Sequence, residues 1–248
     1  MGALHRGHVS LMQLAHEAGD TVVVSIFVNP LQFGDRRDFD TYPIDLDRDL
    51  ALCAQEMVDV VWAPTATQMY PEGFASKVIV GEVSQDFEGR HRPGHFDGVA
   101  TVVTKLFSVV RPDVAVFGAK DFQQVAVIRR LVSDLGFPID IVVAPTVRDD
   151  DGLALSSRNV RLSPSARHRA LAIPEAVLAT RLAWDSGDRD VVMLTRILRS
   201  HLEGLDVDYA EIVDAMSLRA PTERSKELVA LVAATVDGVR LIDNVVLD

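Results

Sequence analysis

His5 and His8, three residues apart with Gly7 between them, are the residues whose types and spacing bear most directly on chemistry. Phosphate binds well where a helix begins, because free backbone N–H groups and the helix dipole point there. Gly7 lets the backbone come close to a ligand. At a separation of three, two imidazoles lie on one helical face, and each can donate a hydrogen bond to a phosphate oxygen. Donors of this kind stabilise a leaving pyrophosphate as it gains charge. Taken alone, a pair of histidines near a chain start is more often an ordinary surface feature.

Three further segments bring together polar groups suited to a ligand. Asn29-Pro30-Leu31-Gln32-Phe33-Gly34 follows an apolar run, and the Gln32 amide offers both donors and acceptors to a substrate carrying carboxylate and hydroxyl groups. Gly118-Ala119-Lys120-Asp121-Phe122-Gln123-Gln124 joins a strand pattern to a helix pattern. There Lys120 could neutralise phosphate charge, Asp121 could cap the helix or approach a magnesium ion, and Gln124 would face the same site. In Leu155-Ser156-Ser157-Arg158-Asn159, two hydroxyls and a guanidinium can grip the outer phosphates of a nucleotide. Each segment also has a plain reading: a solvated glutamine, a capped helix with a solvated lysine, a common tripeptide.

The elements that must hold these loops alternate between strand and helix. The pattern predicts helices over 9–18, 45–57, 99–110 and 122–135, and strands over 21–28, 58–62, 77–80, 114–117 and 139–144, with 89–94 (GRHRPG) as a basic loop. The continuous β-branched run TVVVSIFV suits a buried parallel strand. Such alternation implies an α/β fold, a Rossmann-like doubly wound parallel sheet whose ligands bind beyond the carboxyl ends of the strands. After Pro145 the pattern changes. Helices over 165–186 and 191–202 precede strands over 207–213, 228–236 and 239–246, the last two joined by the turn signal Asp237-Gly238. The change places a domain boundary near Thr146, with one domain expected over residues 1–146 and a smaller α+β domain over 147–248.

Composition narrows the function. The chain of 248 residues is 48% hydrophobic, enough for a sizeable core, and has no apolar run of membrane-spanning length. Its opening residues lack the basic and apolar regions of a secretory signal. Cys53 is the lone cysteine, which excludes an internal disulfide framework and fits a reducing, cytoplasmic setting. H-x-G-H is a pattern of enzymes that adenylylate substrates with ATP, aminoacyl-tRNA synthetases among them. A net charge of −11 argues against tRNA or DNA as a partner.

Together MGALHxGH, SIFVNPxQF, HFxGVxTVVxKLF, FGxKDFQQ, PTVRxxDGLALSSRN and a late LIDN occur in one order. In these motifs, from Met1 to about Asn244, the chain closely resembles the pantothenate synthetase (pantoate–β-alanine ligase) family. The resemblance implies a nucleotidyltransferase domain with a C-terminal lid, usually assembled as a homodimer. It implies condensation of pantoate with β-alanine by way of pantoyl adenylate, with release of AMP and pyrophosphate, and with magnesium (Mg2+) bridging phosphate oxygens. On this resemblance Met1, Gly2, Ala3, Leu4, His5, Arg6, Gly7 and His8 contact ATP, with His8 as proton donor. Gln32 and Gln124 hold pantoate, and Gln32 also lies beside the β-alanine site. Gly118, Ala119, Lys120 and Asp121 form a second ATP loop, Val147 meets the adenine through its backbone, and Leu155, Ser156, Ser157 and Arg158 close on the triphosphate. His5, His8, Lys120 and Arg158 carry the catalysis.

The chain departs from the family pattern at Ala119 (usually glutamate), Arg6 (usually acidic) and Ile44 (often arginine). The resemblance also implies a first strand ending in Pro-Thr before Met1. Without it two strand edges would be exposed and the first ATP loop poorly held, so low solubility or low activity is expected of the 248-residue chain. Two rivals share some of these features. Another nucleotidyltransferase would carry the histidine motif without the NPxQF and FQQ glutamines, and a truncated non-catalytic paralogue would keep the fold without the chemistry.

Overall fold

A computed structural model describes residues 2–34, 39–40 and 42–248; Met1 lies outside the described residues. The chain divides into two compact units. One comprises residues 1–119 and 123–145, the other residues 120–122 and 146–248.

In the first unit, helix α1 (Arg6–Ala18) starts one turn earlier than its apolar pattern suggests, because His5 caps it. Strand β1 (Val23–Ser25) pairs in parallel with β2 (Val60–Trp62), and helix α2 (Leu46–Gln55) connects them. The ladder occupies only part of the run over 21–28; past Ile26, whose N–H donates to the Trp62 carbonyl, the backbone turns into the Asn29 loop. Strand β3 (Val114–Gly118) pairs in parallel with β4 (Asp140–Ala144) in a second two-stranded sheet. Helix α1 serves both sheets. Its Met12 joins a buried cluster with Leu4, Val22, Val24, Ile26 and Cys53, while the same helix packs on β3 and β4.

This unit also contains the one-turn helices α3 (Ala66–Met69) and α4 (Glu88–His91) and the long helices α5 (His95–Val110) and α6 (Phe122–Leu135). The strand expected over 77–80 is absent. Val78 donates its N–H to the Thr101 hydroxyl at 3.0 Å, so a side chain takes the place of a neighbouring strand. The basic loop expected over 89–94 is helical in its first half. Its first residues complete α4, and Gly94, at φ 80°, turns the chain into α5.

The second unit is an antiparallel sheet, β5 (Asp206–Asp214), β6 (Leu228–Val236) and β7 (Val239–Leu247), with β6 central. Eight of the nine β6 residues are buried. Asp237 and Gly238 both take positive φ (48° and 77°), as a two-residue hairpin with the right twist requires. The single helix expected over 165–186 is two helices, α7 (Pro164–Ala170) and α8 (Ala172–Asp185), because Pro174 lacks an N–H and its ring excludes the Ala170 carbonyl from a continuous helix. Helices α8 and α9 (Val191–Ser200) cover the sheet, and Ile173, Val177, Leu194 and Leu198 interlock with Ile212, Val232 and Leu247.

Candidate active site

At the start of α1 the two histidines cap each other. His5 Nδ1 accepts from the Gly7 N–H at 3.2 Å, and His8 Nδ1 accepts from the His5 N–H, also at 3.2 Å. The rings lie 4.1 Å apart. Since both Nδ1 atoms accept from peptide N–H groups, each neutral ring carries its hydrogen on Nε2. The fold therefore prepares two imidazoles as Nε2–H donors beside the N-terminus of a 13-residue helix, where an anion is favoured. The preceding loop is held by Asp49, a buried carboxylate that accepts from the Leu4 N–H at 2.8 Å. Gly2 packs closely, and a Cβ there would sit 3.2 Å from a Val28 methyl.

The second cluster in this unit surrounds Gln32. Asn29 caps the turn Pro30–Gln32 by accepting from the Leu31 N–H. The Gln32 carbonyl accepts from the His95 ring at 2.9 Å and from Arg92 at 3.5 Å. Helix α5 approaches this turn so closely that a Cβ on Gly98 would come within 2.4 Å of the Leu31 carbonyl oxygen. Gln32 is half-buried.

The two adjacent glutamines of α6 differ in kind. Gln123 is buried and spent on the fold: it accepts from the Glu88 N–H and donates to the carbonyls of Val83 and Asp86, all within 2.8–2.9 Å. Gln124 is half-buried and takes no part in those bonds. Gly118 and Ala119 end β3 and begin the turn that leads to α6.

The other predicted residues belong to the second unit. Lys120 and Asp121 form a loose ion pair at 3.7 Å, and the Lys120 carbonyl accepts from Asn244 Nδ2 at 2.9 Å. Val147 accepts from the Leu155 N–H at 2.9 Å, and the bridge between Arg148 and Ala154 closes the acidic turn. Arg148 is gripped by both oxygens of Asp243 (2.6 and 2.9 Å) and also donates to the Gly152 carbonyl. The Arg158 N–H donates to Ser156 Oγ at 3.2 Å. Asn159 donates to the Ala154 carbonyl at 3.0 Å, while its Oδ1 is a buried atom without a hydrogen-bond partner among the described residues. Asp243 and Asn244, the Asp-Asn of LIDN, thus hold two separate segments of this unit, at Arg148 and at Lys120, a role the motif alone does not reveal. Ile44 is exposed.

Among the described residues, no group of three or more His, Cys, Asp or Glu side chains could hold a metal ion, and no helix is long and apolar enough to cross a membrane.

Loops after parallel strands, a capped histidine pair at a helix start and a lysine-bearing turn after β3 define the class: a nucleotidyltransferase fold with a small C-terminal domain. The chain belongs to the pantoate–β-alanine ligase family, whose model matches residues 1–246. Curated relatives include the pantothenate synthetase of Pelobacter propionicus, 49% identical over all of this chain and 88% of that protein. Pantothenate synthetase 1 of Bradyrhizobium diazoefficiens is 51% identical with the same coverage. Among solved structures, pantothenate synthetase from Thermus thermophilus is 46% identical and superposes with a TM-score of 0.94 over 99% of this chain and 90% of that one. A pantoate–β-alanine ligase from Francisella tularensis, complexed with beta-gamma ATP and β-alanine, is 36% identical with a TM-score of 0.79, over 99% of this chain and 86% of its own. As a member of this family the chain is a ligase.

Proposed function

We propose that this chain condenses (R)-pantoate with β-alanine at the expense of ATP, through pantoyl adenylate. A carboxylate oxygen of pantoate attacks the α-phosphorus of ATP and pyrophosphate leaves. The β-alanine amine then attacks the acyl carbon, AMP leaves, and the amine proton passes to solvent. Family membership over residues 1–246 supports the reaction; the observation that carries it into this site is the reciprocal histidine cap, which presents two Nε2–H groups at a helix start.

The residues take complementary parts in this reading. His5 and His8 donate to phosphate oxygens, and Gly2, Ala3, Leu4, Arg6 and Gly7 shape the loop around them. Lys120 and Arg158 offset the charge of departing pyrophosphate, with Ser156 and Ser157 donating to the same oxygens. Gly118, Ala119 and Asp121 border the nucleotide, and the Val147 and Leu155 backbones flank it. Gln32 and Gln124 hold pantoate so that its carboxylate meets the α-phosphorus, and Gln32 borders β-alanine. Positioning and electrostatics suffice, with no covalent enzyme intermediate. Magnesium enters with the nucleotide, as part of the MgATP substrate held by phosphate oxygens. The working form in this reading is a homodimer in the cytoplasm.

The test is AMP release with each substrate omitted in turn. The reading requires AMP to depend on pantoate and pantothenate to depend on β-alanine. AMP formation indifferent to both substrates would sink it.

A further inference from the structure

The hydrogen-bond pattern fixes which end of the Gln32 amide faces outward. The Leu31 peptide N–H can only donate, and it meets Asn29 Oδ1 at 3.2 Å. The Gly98 carbonyl can only accept, and it lies 3.0 Å from Asn29 Nδ2. These two groups leave the Asn29 amide a single orientation. Its Nδ2 also reaches the Gln32 side chain at 3.1 Å, so the atom it meets there must be the oxygen, Oε1. Gln32 Nε2 is then the end turned away, and it offers hydrogens.

Tyr70 completes this arrangement from 41 residues along the chain. Its hydroxyl donates to the same Asn29 Oδ1 at 2.7 Å. Tyr70 sits immediately after α3, whose Met69 is buried, and its ring lies against Phe27 and Phe74 with centroids 6.1 and 5.0 Å away. Burial pushes the hydroxyl pKa up to about 12, so the group stays protonated and donating at any pH the enzyme meets. Asn29 is itself 3% exposed, so no water replaces a lost partner at little cost.

We propose that Tyr70, acting through Asn29, is a positioning residue that holds Gln32 with its NH2 outward, so that Gln32 reads an oxygen acceptor on pantoate. It rests on the reading of Gln32 as a pantoate-binding residue. Gln32 then selects for a carboxylate, hydroxyl or carbonyl oxygen at that point, and a donor placed there would meet hydrogens.

The experiment is a double-mutant cycle on the full chain, with kcat and the KM for pantoate and for ATP measured for wild type, Y70F, Q32A and the double variant, alongside thermal melts. Y70F keeps the packed ring. It should raise the pantoate KM about three- to tenfold, the worth of one hydrogen bond, and leave the ATP KM within about twofold. In the Q32A background Y70F should add almost nothing, because its effect passes through Gln32. If Q32A leaves pantoate use intact, the assignment of Gln32 is wrong. If Q32A impairs it while Y70F is silent, additive, or equally harmful to ATP, the Tyr70 relay is wrong. Should Y70F fail to fold, N29D serves instead. Its carboxylate can only accept, so the Gln32 amide must turn over, and the pantoate KM should rise more than tenfold; an unchanged KM overturns the relay.

Discussion

Gln32 and Lys120 both stand in loops that follow a parallel strand, yet they are held in opposite ways. Gln32 has its carbonyl, its side-chain oxygen and its neighbour's amide all engaged. Lys120 is tethered by its backbone, through the Asn244 bond to its carbonyl, while its ammonium meets Asp121 at a loose 3.7 Å. The difference follows from the tasks. A residue that reads hydrogen-bonding groups must present one end of an amide and not the other. A residue that supplies charge needs its stem in place and a flexible reach, which the four-carbon lysine side chain provides.

The contrast breaks most readily at the charge. Lys120→Ala should lower the adenylation step by about 10²–10³-fold, the usual loss when a group stabilising developing negative charge is removed. Attack of β-alanine on preformed pantoyl adenylate should suffer less, since AMP departure needs less of this charge. Rapid-quench measurement of both steps decides, and equal losses would assign Lys120 to the fold. Lys120→Arg should recover much of the rate, whereas no polar replacement of Gln32 should be tolerated as well.

Asp243→Ala removes the partner of Arg148 and should destabilise the chain by about 3 kcal/mol, at the lower end for a broken buried pair because Arg148 is 31% exposed. Denaturant melts would show it. Gln124→Ala should weaken pantoate use by about ten- to a hundredfold, the cost of roughly 1–3 kcal/mol of lost hydrogen bonding, with ATP binding spared; an unchanged pantoate KM would remove Gln124 from the site. Gln123→Ala, by contrast, should act on stability, since its three bonds are internal. Asn244→Ala should slow adenylation about fivefold while leaving the pantoate KM alone, as loss of one bond to the Lys120 backbone implies.

The smallest effect concerns pH. The Arg167 guanidinium, bonded to Asp151, holds that carboxyl below its ordinary 3.8. A folded-state value below the unfolded one means the contribution is full above the unfolded value and is lost as pH falls through the depressed one. Acid melts of Arg167→Leu should therefore fall off less steeply below about pH 4 than those of wild type, by a small margin because both side chains are about one-third exposed.

Much of the architecture was legible because it rests on local rules. Strand and helix alternated with the apolar period, and Asp237-Gly238 marked the last hairpin. The structure departs from the pattern where a distant group intervenes or where a single residue interrupts a continuing apolar period. Thr101 took the N–H that a strand over 77–80 would have paired, and Pro174 divided a run whose apolar period continued through it. The site shows the same limit. The order of motifs along the sequence singled out His5, His8, Gln32, Lys120 and Gln124 as chemistry-bearing, since each type and spacing has a chemical reason. The Nε2 hydrogens of the two histidines follow from their local cap, but tertiary structure alone decided that Gln123 serves the fold and that Gln32 turns its NH2 away from Asn29. The roles of Gln123 and Gln32 depend on which donor or acceptor arrives from elsewhere: Val83 is 40 residues from Gln123, and Gly98 is 69 from Asn29. A sequence specifies which groups exist and their local periodicity, whereas the direction of a hydrogen bond is fixed only when the fold delivers the partner.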